Sequence, residues 1–164
     1  MLIKSLFLSL LLGAALFAKT EVVVFDFGGV MTEQKPDEEM QANSKMYALV
    51  DQLAKNNVRV ALFSNVSARH AVLWRGMGLY RPFYPCILSC DINAKKPQKR
   101  SYKLMISILN FHPKEILFID NQPKNIEAAQ TFGIDAFVFE SADQVEIELK
   151  KRGLLHAGVV CKND

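Results

Sequence analysis

Four residues of this chain, in a fixed order, could do chemistry together: Asp26, Ser64, Lys96 and Asp120, each at or just beyond a strand-like apolar run. Asp26 closes the run Glu21-Val22-Val23-Val24-Phe25 and is followed at once by Phe27-Gly28-Gly29-Val30. A carboxylate at the tip of a buried strand is costly to place unless it is paired or used. A carboxylate, a hydroxyl, a lysine and a second carboxylate suggest a phosphoryl-transfer site, where a protein mainly supplies position and charge. Gly28 and Gly29 let the backbone approach a ligand closely. They do not form a dinucleotide fingerprint, since no third glycine follows at the required spacing.

The elements that must position these residues alternate between strand and helix. Strand one ends at Asp26, and a polar loop with Pro36 and Asp37 follows over 32–38. Met40, Met46, Leu49, Val50 and Leu53 recur at helical spacing, which predicts a helix over 39–56. A second strand over 58–63 ends at Ser64-Asn65, and Ser67 caps a helix to Met77. Pro82 and Pro85 bracket a loop before a third strand over 86–89. A helix over 98–109 and a strand over 116–119, ending at Asp120, come next. Pro123 starts a helix that Gly133 stops. A fifth strand over 136–139 and a helix over 141–151 complete the pattern, and the last ten residues carry no clear signal.

Near-continuous apolar strands between helices predict an α/β fold: a Rossmann-like three-layer sandwich with a parallel five-stranded sheet covered on both faces. Ligands bind outside the carboxyl ends of such strands. Asp26, Ser64 and Asp120 stand at those ends, and Lys96 lies in a loop on the same side. Each has a plainer reading. Ser64 could be an ordinary strand-end hydroxyl, Lys96 a solvated lysine beside Lys95, and Asp120 a cap for the next helix. The Lys96-Pro97 pair favours function, and so does the convergence of four separate segments on one edge.

This set resembles the haloacid dehalogenase-like (HAD) superfamily of phosphatases. The resemblance rests on Asp26-Phe27-Gly28-Gly29-Val30, Phe63-Ser64-Asn65, Lys96-Pro97 and Ile119-Asp120-Asn121, with Asn125, Ala129 and Gly133-Ile134 beyond, and it covers 22–139. The form of the first motif looks most like the subgroup that includes glucose-1-phosphatase-like proteins. The resemblance implies a phosphoric monoester hydrolase in which Asp26 is the nucleophile and forms an aspartyl-phosphate. It implies a catalytic set of Asp26, Ser64 and Lys96, with phosphate held by Phe27, Gly28, Ser64, Asn65 and Lys96. Mg²⁺ would be bound by Asp26, the Gly28 carbonyl and Asp120, an oxygen donor set that suits it. Asn121 and Asn125 would support the site.

Two departures from the family pattern bear on activity. The residue two after the nucleophile is usually an Asp that acts as general acid/base, and here it is Gly28. Acid–base catalysis is typically worth about 10²–10⁴-fold, so reduced activity is expected, least for a leaving group of low pKa. Asn121 stands where the family often has a second Asp, which removes a charge near the metal. The intervals from Asp26 to Ser64 and from Ser64 to Lys96 are also too short for an inserted cap domain.

The rest of the sequence bounds the setting. A chain of 164 residues with 50% hydrophobic residues supports one domain with a real core. A net charge of +3, densest at Lys95, Lys96, Lys99 and Arg100, argues against a nucleic-acid partner. Residues 1–18 read as a signal peptide: Lys4, an apolar stretch, then Ala18. The stretch is short against the roughly 20 apolar residues of a stable membrane span. The expectation is an exported protein, periplasmic or secreted, with a single HAD-like domain over 19–164; an uncleaved membrane anchor is the alternative. Cys86 and Cys90 are too far apart to pair if 84–90 is extended, because four strand residues span about 13 Å. Cys161 could pair with either one, or all three remain thiols. The expected partner is a phosphorylated small molecule or macromolecule, with a homo-oligomer left open.

The competing readings are a catalytically impaired HAD-fold binding protein and a haloacid dehalogenase. Gly28 and Asn121 motivate the first. The missing cap argues against the second, which needs an enclosed apolar pocket.

Overall fold

The computed structural model describes residues 19–33 and 40–155. The signal-peptide segment 1–18, most of the polar loop, and the tail with His156 and Cys161 lie outside the described residues.

Five parallel strands form the sheet: β1 (Val22–Phe25), β4 (Arg59–Ser64), β5 (Cys86–Leu88), β6 (Ile116–Asp120) and β7 (Asp135–Val138). Their order is β5-β4-β1-β6-β7. β1 is central: Val22 pairs with Arg59 on one side and Ile116 on the other, and the register continues to Phe25. The strands are buried on both faces because their side chains alternate between two apolar layers. Val23, Phe25, Leu62, Leu117 and Ile119 face α1 (Ser44–Lys55) and α6 (Ala142–Lys151), through Met46, Leu49, Leu53, Val145 and Leu149. Val24, Ala61, Phe63 and Phe118 face α4 (Lys99–Leu109) and α5 (Pro123–Gln130), through Tyr102, Met105, Ile126 and Ala129. This is the expected three-layer architecture. No helix among the described residues is long and apolar enough to cross a membrane.

Three local expectations are corrected. The helix expected from residue 39 begins at Ser44. Asn43 caps it, with its side-chain oxygen accepting from the Met46 amide at 3.2 Å. The residues before the cap instead form a small antiparallel pair, β2 (Thr32–Glu33) with β3 (Gln41–Ala42). Asn43 fixes this boundary because an Asn side chain in extended backbone satisfies a helix-start amide better than another helical turn does. The third strand stops at Leu88, and Cys90 lies in a short helix, α3 (Ser89–Ile92). Cys86 and Cys90 are free thiols, and burial pushes both upward in pKa. α2 (Ala68–Gly76) matches expectation, with Ser67 accepting from the His70 amide at 3.3 Å.

Candidate active site

The sheet order reverses between β1 and β6, so the crevice at their carboxyl ends is the position where this architecture holds ligands. Asp26 follows β1 there, its amide donating to the Ile119 carbonyl at 2.8 Å, and Asp120 is the last residue of β6. Ser64 ends β4 beside them. A cleft of about 190 Å³ opens over these ends, lined by Asp26, Ser64, Lys96, Asp120, Asn125 and others.

Lys96 joins the set. Its ammonium donates to Asp26 Oδ1 at 2.7 Å, Asp120 Oδ2 at 2.6 Å and the Phe63 carbonyl at 2.7 Å. It also lies over the Phe63 and Phe118 rings, at 5.1 and 5.3 Å from their centroids. All three ionic groups are buried: Lys96 is 5% exposed, Asp26 7% and Asp120 0%. One cation between two anions leaves the cluster one negative charge in excess. Burial raises the Asp26 pKa, the Lys96 ammonium pulls it back, and the Asp120 charge raises it again, with the net direction upward.

The lysine reaches this place because Asn65 clamps its backbone. Asn65 Nδ2 donates to the Lys96 carbonyl and Asn65 Oδ1 accepts from the Lys96 amide, both at 2.9 Å. Asp120 is held as firmly: Asn125 Nδ2 donates to both its oxygens at 3.1 and 3.0 Å, and the Gln122 amide donates to Oδ1 at 2.8 Å. Asp120 thus closes a turn onto Gln122, the residue directly ahead of α5. The helix cap itself is Gln122, not Asp120.

The loop after Asp26 turns through Gly29 at φ +78°, where a Cβ would collide with the Asn121 amide. Asn121 Nδ2 donates to the Gly28 carbonyl at 3.2 Å. The Gly29 amide donates to Thr32 Oγ1 at 3.2 Å. A Cβ added at Gly28, the position where the family pattern has an acid, would meet nothing within 4 Å.

The oxygen donors around the cleft fit a hard divalent cation. Two carboxylates and the Gly28 carbonyl share it, and the buried Asn125 Oδ1 has no hydrogen-bond partner. Mg²⁺ is commonly held by one or two carboxylates with several retained waters. Among the described residues no group of three or more Asp, Glu, His or Cys could hold a metal ion.

Comparison with known proteins agrees with this geometry. The sequence profile of haloacid dehalogenase-like hydrolases matches residues 19–139. The chain belongs to that family. Its HAD fold is shared by an uncharacterised protein from Corynebacterium glutamicum, at a TM-score of 0.68 and 17% identity, over 85% of this chain and 98% of that one. A HAD family enzyme from Bacteroides thetaiotaomicron, in complex with magnesium and inorganic phosphate, aligns at 0.60 and 16% identity, over 74% of this chain and 94% of that one. Among characterised proteins, a flavin mononucleotide hydrolase from Arabidopsis thaliana is 25% identical over 66% of this chain and 44% of its own length. A bifunctional epoxide hydrolase from Sus scrofa is 28% identical over 43% of this chain and 13% of its own. The chain therefore spans less than half the length of these two relatives.

Every site residue expected from the sequence falls in or around this HAD cleft except one side chain. Phe27 is fully buried against Trp74 and Tyr80, at 4.8 and 5.0 Å between centroids, and does not line the cleft. Three contributors were not foreseen. Trp74 lines the cleft from α2, Gln122 anchors Asp120, and the Tyr102 hydroxyl donates to the Asn125 carbonyl at 2.8 Å. The Asp-x-Gln-Pro order at 120–123 carries the signal for the Gln122 turn. Trp74 and Tyr102 act across long sequence separations and leave no local signal.

Proposed function

We propose that this HAD hydrolase is a Mg²⁺-dependent phosphatase that forms an aspartyl-phosphate on Asp26. The observation that carries the reading is the Lys96 ammonium, buried in contact with both Asp26 and Asp120 at the carboxyl ends of β1 and β6. Asp26 attacks the phosphorus and the ester oxygen leaves; water then opens the acyl phosphate and restores the carboxylate. Lys96 offsets the charge on Asp26 and on the phosphoryl oxygens, and Ser64 donates to one of them. Asp26, Asp120 and the Gly28 carbonyl would hold Mg²⁺, which supplies charge stabilisation at the transferring group. Asn65 acts through Lys96, and Asn121 and Asn125 act through Gly28 and Asp120.

Gly28 leaves the leaving group without a proton donor at the usual position. The substrate class that suits such a site is an acyl or aryl phosphate. The flavin mononucleotide hydrolase relationship supports a phosphate ester as substrate. The first-motif form supports the glucose-1-phosphatase-like subgroup. The segments after Asp26 and Ser64, which hold a two-stranded hairpin and α2, support a capless enzyme. Residues 1–18 support action outside the cytoplasm.

The test is phosphate release from an aryl phosphate with and without Mg²⁺. Wild type releases it only with Mg²⁺, and Asp26→Asn abolishes release. Gly28→Asp, for which there is room, raises the rate by up to about 10²-fold. A second reading, a binding protein of HAD fold, draws on Gly28 and on the Asn121 amide that occupies the Gly28 carbonyl. Binding of inorganic phosphate with Mg²⁺, without release from any ester, would favour it.

A further inference from the structure

Among the described residues, those lining the cleft are polar or glycine with one exception. Asp26, Ser64, Lys96 and Asp120 form its base, with Asn and Gln side chains and Gly28 around them, and Trp74 is its one large apolar wall. Trp74 is half-buried, and it is not held by its own helix, in which Ala71 is the buried residue. It is held by rings instead. Phe27, next to the proposed nucleophile, packs on it at 4.8 Å, and Tyr80 meets it edge-on at 6.5 Å. On the exposed side the His70 ring stacks with it at 5.4 Å and 14°. His70 is itself fixed, its Nδ1 lying 3.1 Å from the hydroxyl of Ser67, the residue that caps α2. The aromatic wall and Ser64 therefore belong to one short segment running from the end of β4 into α2.

We infer that Trp74, backed by His70, is the specificity-determining wall of the cleft and that it selects phosphate esters whose organic group is a planar aromatic ring. This rests on the proposed phosphatase reading and narrows its substrate class from acyl or aryl phosphates to aryl esters. The argument is one of complementarity. A phosphoryl group uses the polar base, and the organic group it carries then finds the Trp74 ring beside it, the one large apolar side chain among the described residues that line the cleft. An aromatic group gains contact with the Trp74 ring without ordering that side chain, since Trp74 is already packed against Phe27, Tyr80 and His70. An aliphatic polyol makes no ring-on-ring contact there. Such ring contacts translate to roughly three- to tenfold in affinity.

The chain has a single tryptophan, so the wall reports on itself. The experiment titrates Asp26→Asn with Mg²⁺ and each of phenyl phosphate, 1-naphthyl phosphate, glycerol phosphate and inorganic phosphate, following tryptophan emission. The two aryl esters are expected to change the emission saturably, naphthyl at lower concentration than phenyl, and the other two to change it little. In wild type the kcat/KM ratio of phenyl to glycerol phosphate is then compared with that of Trp74→Leu, which should be lower by roughly three- to tenfold. If Trp74→Leu does not fold, Trp74→Phe supplies the same comparison with a smaller fall. An unmoved ratio, or aryl-ester binding with no change in emission, overturns the inference. If no ester is hydrolysed, the phosphatase reading fails, and the emission titration still decides the wall.

Discussion

Two ion clusters of this protein each place a cation between two carboxylates, in opposite settings; the more exposed one also carries Lys151 against Glu148. Lys96 lies between Asp26 and Asp120 at the carboxyl edge of the sheet, with side chains 1%, 11% and 0% exposed. Arg152 lies between Asp135, the first residue of β7, and Glu148 on α6, with side chains 24%, 47% and 25% exposed. Its guanidinium also covers the Phe137 ring at 5.3 Å. The second cluster ties the end of a helix to the start of a strand at little desolvation cost, and it is screened by salt. The first gives up the hydration of three charges. Such a cluster is weak evidence for stability, since well-packed apolar residues often replace buried ions without loss. Its presence argues for a use, and it stands at the switch point of the sheet, where this architecture holds ligands.

Lys96→Met should break the comparison most sharply. It leaves two buried carboxylates facing each other, and the expected loss is about 3–5 kcal/mol in urea unfolding, together with loss of phosphate release. The combined change Asp26→Leu, Lys96→Met and Asp120→Leu removes all three charges. Its urea midpoint should return to near or above the wild-type value with activity still absent. A triple variant as unstable as Lys96→Met would mean that the cluster is structural after all.

Arg152→Ala should cost much less, a Tm lower by about 2–4 °C, with the difference shrinking in high salt and phosphate release retained. The smallest effect is expected at Tyr47, whose hydroxyl donates to the Leu79 carbonyl at 2.7 Å and whose phenol is pushed by burial up to about 12. A raised folded-state value means that its contribution is complete below the unfolded value of about 10 and is lost as pH rises towards 12. Urea midpoints measured across that window should fall less steeply in Tyr47→Phe than in wild type.

The same contrast explains how much could be read from the sequence. The central strands were legible because they are buried on both faces and read as unbroken apolar runs. Their carboxyl ends therefore locate Asp26, Ser64 and Asp120 from the sequence alone. The start of α1 was not legible from periodicity, because the apolar spacing runs through Met40 while the Asn43 side chain stops the helix there. The β2–β3 pair has only two residues in each strand, too few for an alternating pattern. The plainer reading of Asp120, a helix cap, gives way to the functional one, because the carboxylate is taken by Lys96 and Asn125 and meets the backbone at Gln122, ahead of the helix. The aromatic wall was hidden for another reason. Trp74 is placed by Phe27 and Tyr80, one of them 47 positions away by number, and a lone aromatic on a mostly exposed helix reads as surface.

The central claim is that Asp26 is phosphorylated during turnover. The direct measurement is mass spectrometry of peptides from wild-type protein mixed with an aryl phosphate and Mg²⁺ and quenched rapidly in acid. A phosphoryl adduct on the peptide carrying Asp26, absent without Mg²⁺ and absent in Asp26→Asn, is the predicted result. Sustained phosphate release with no adduct at Asp26, or undiminished release by Asp26→Asn, would contradict it.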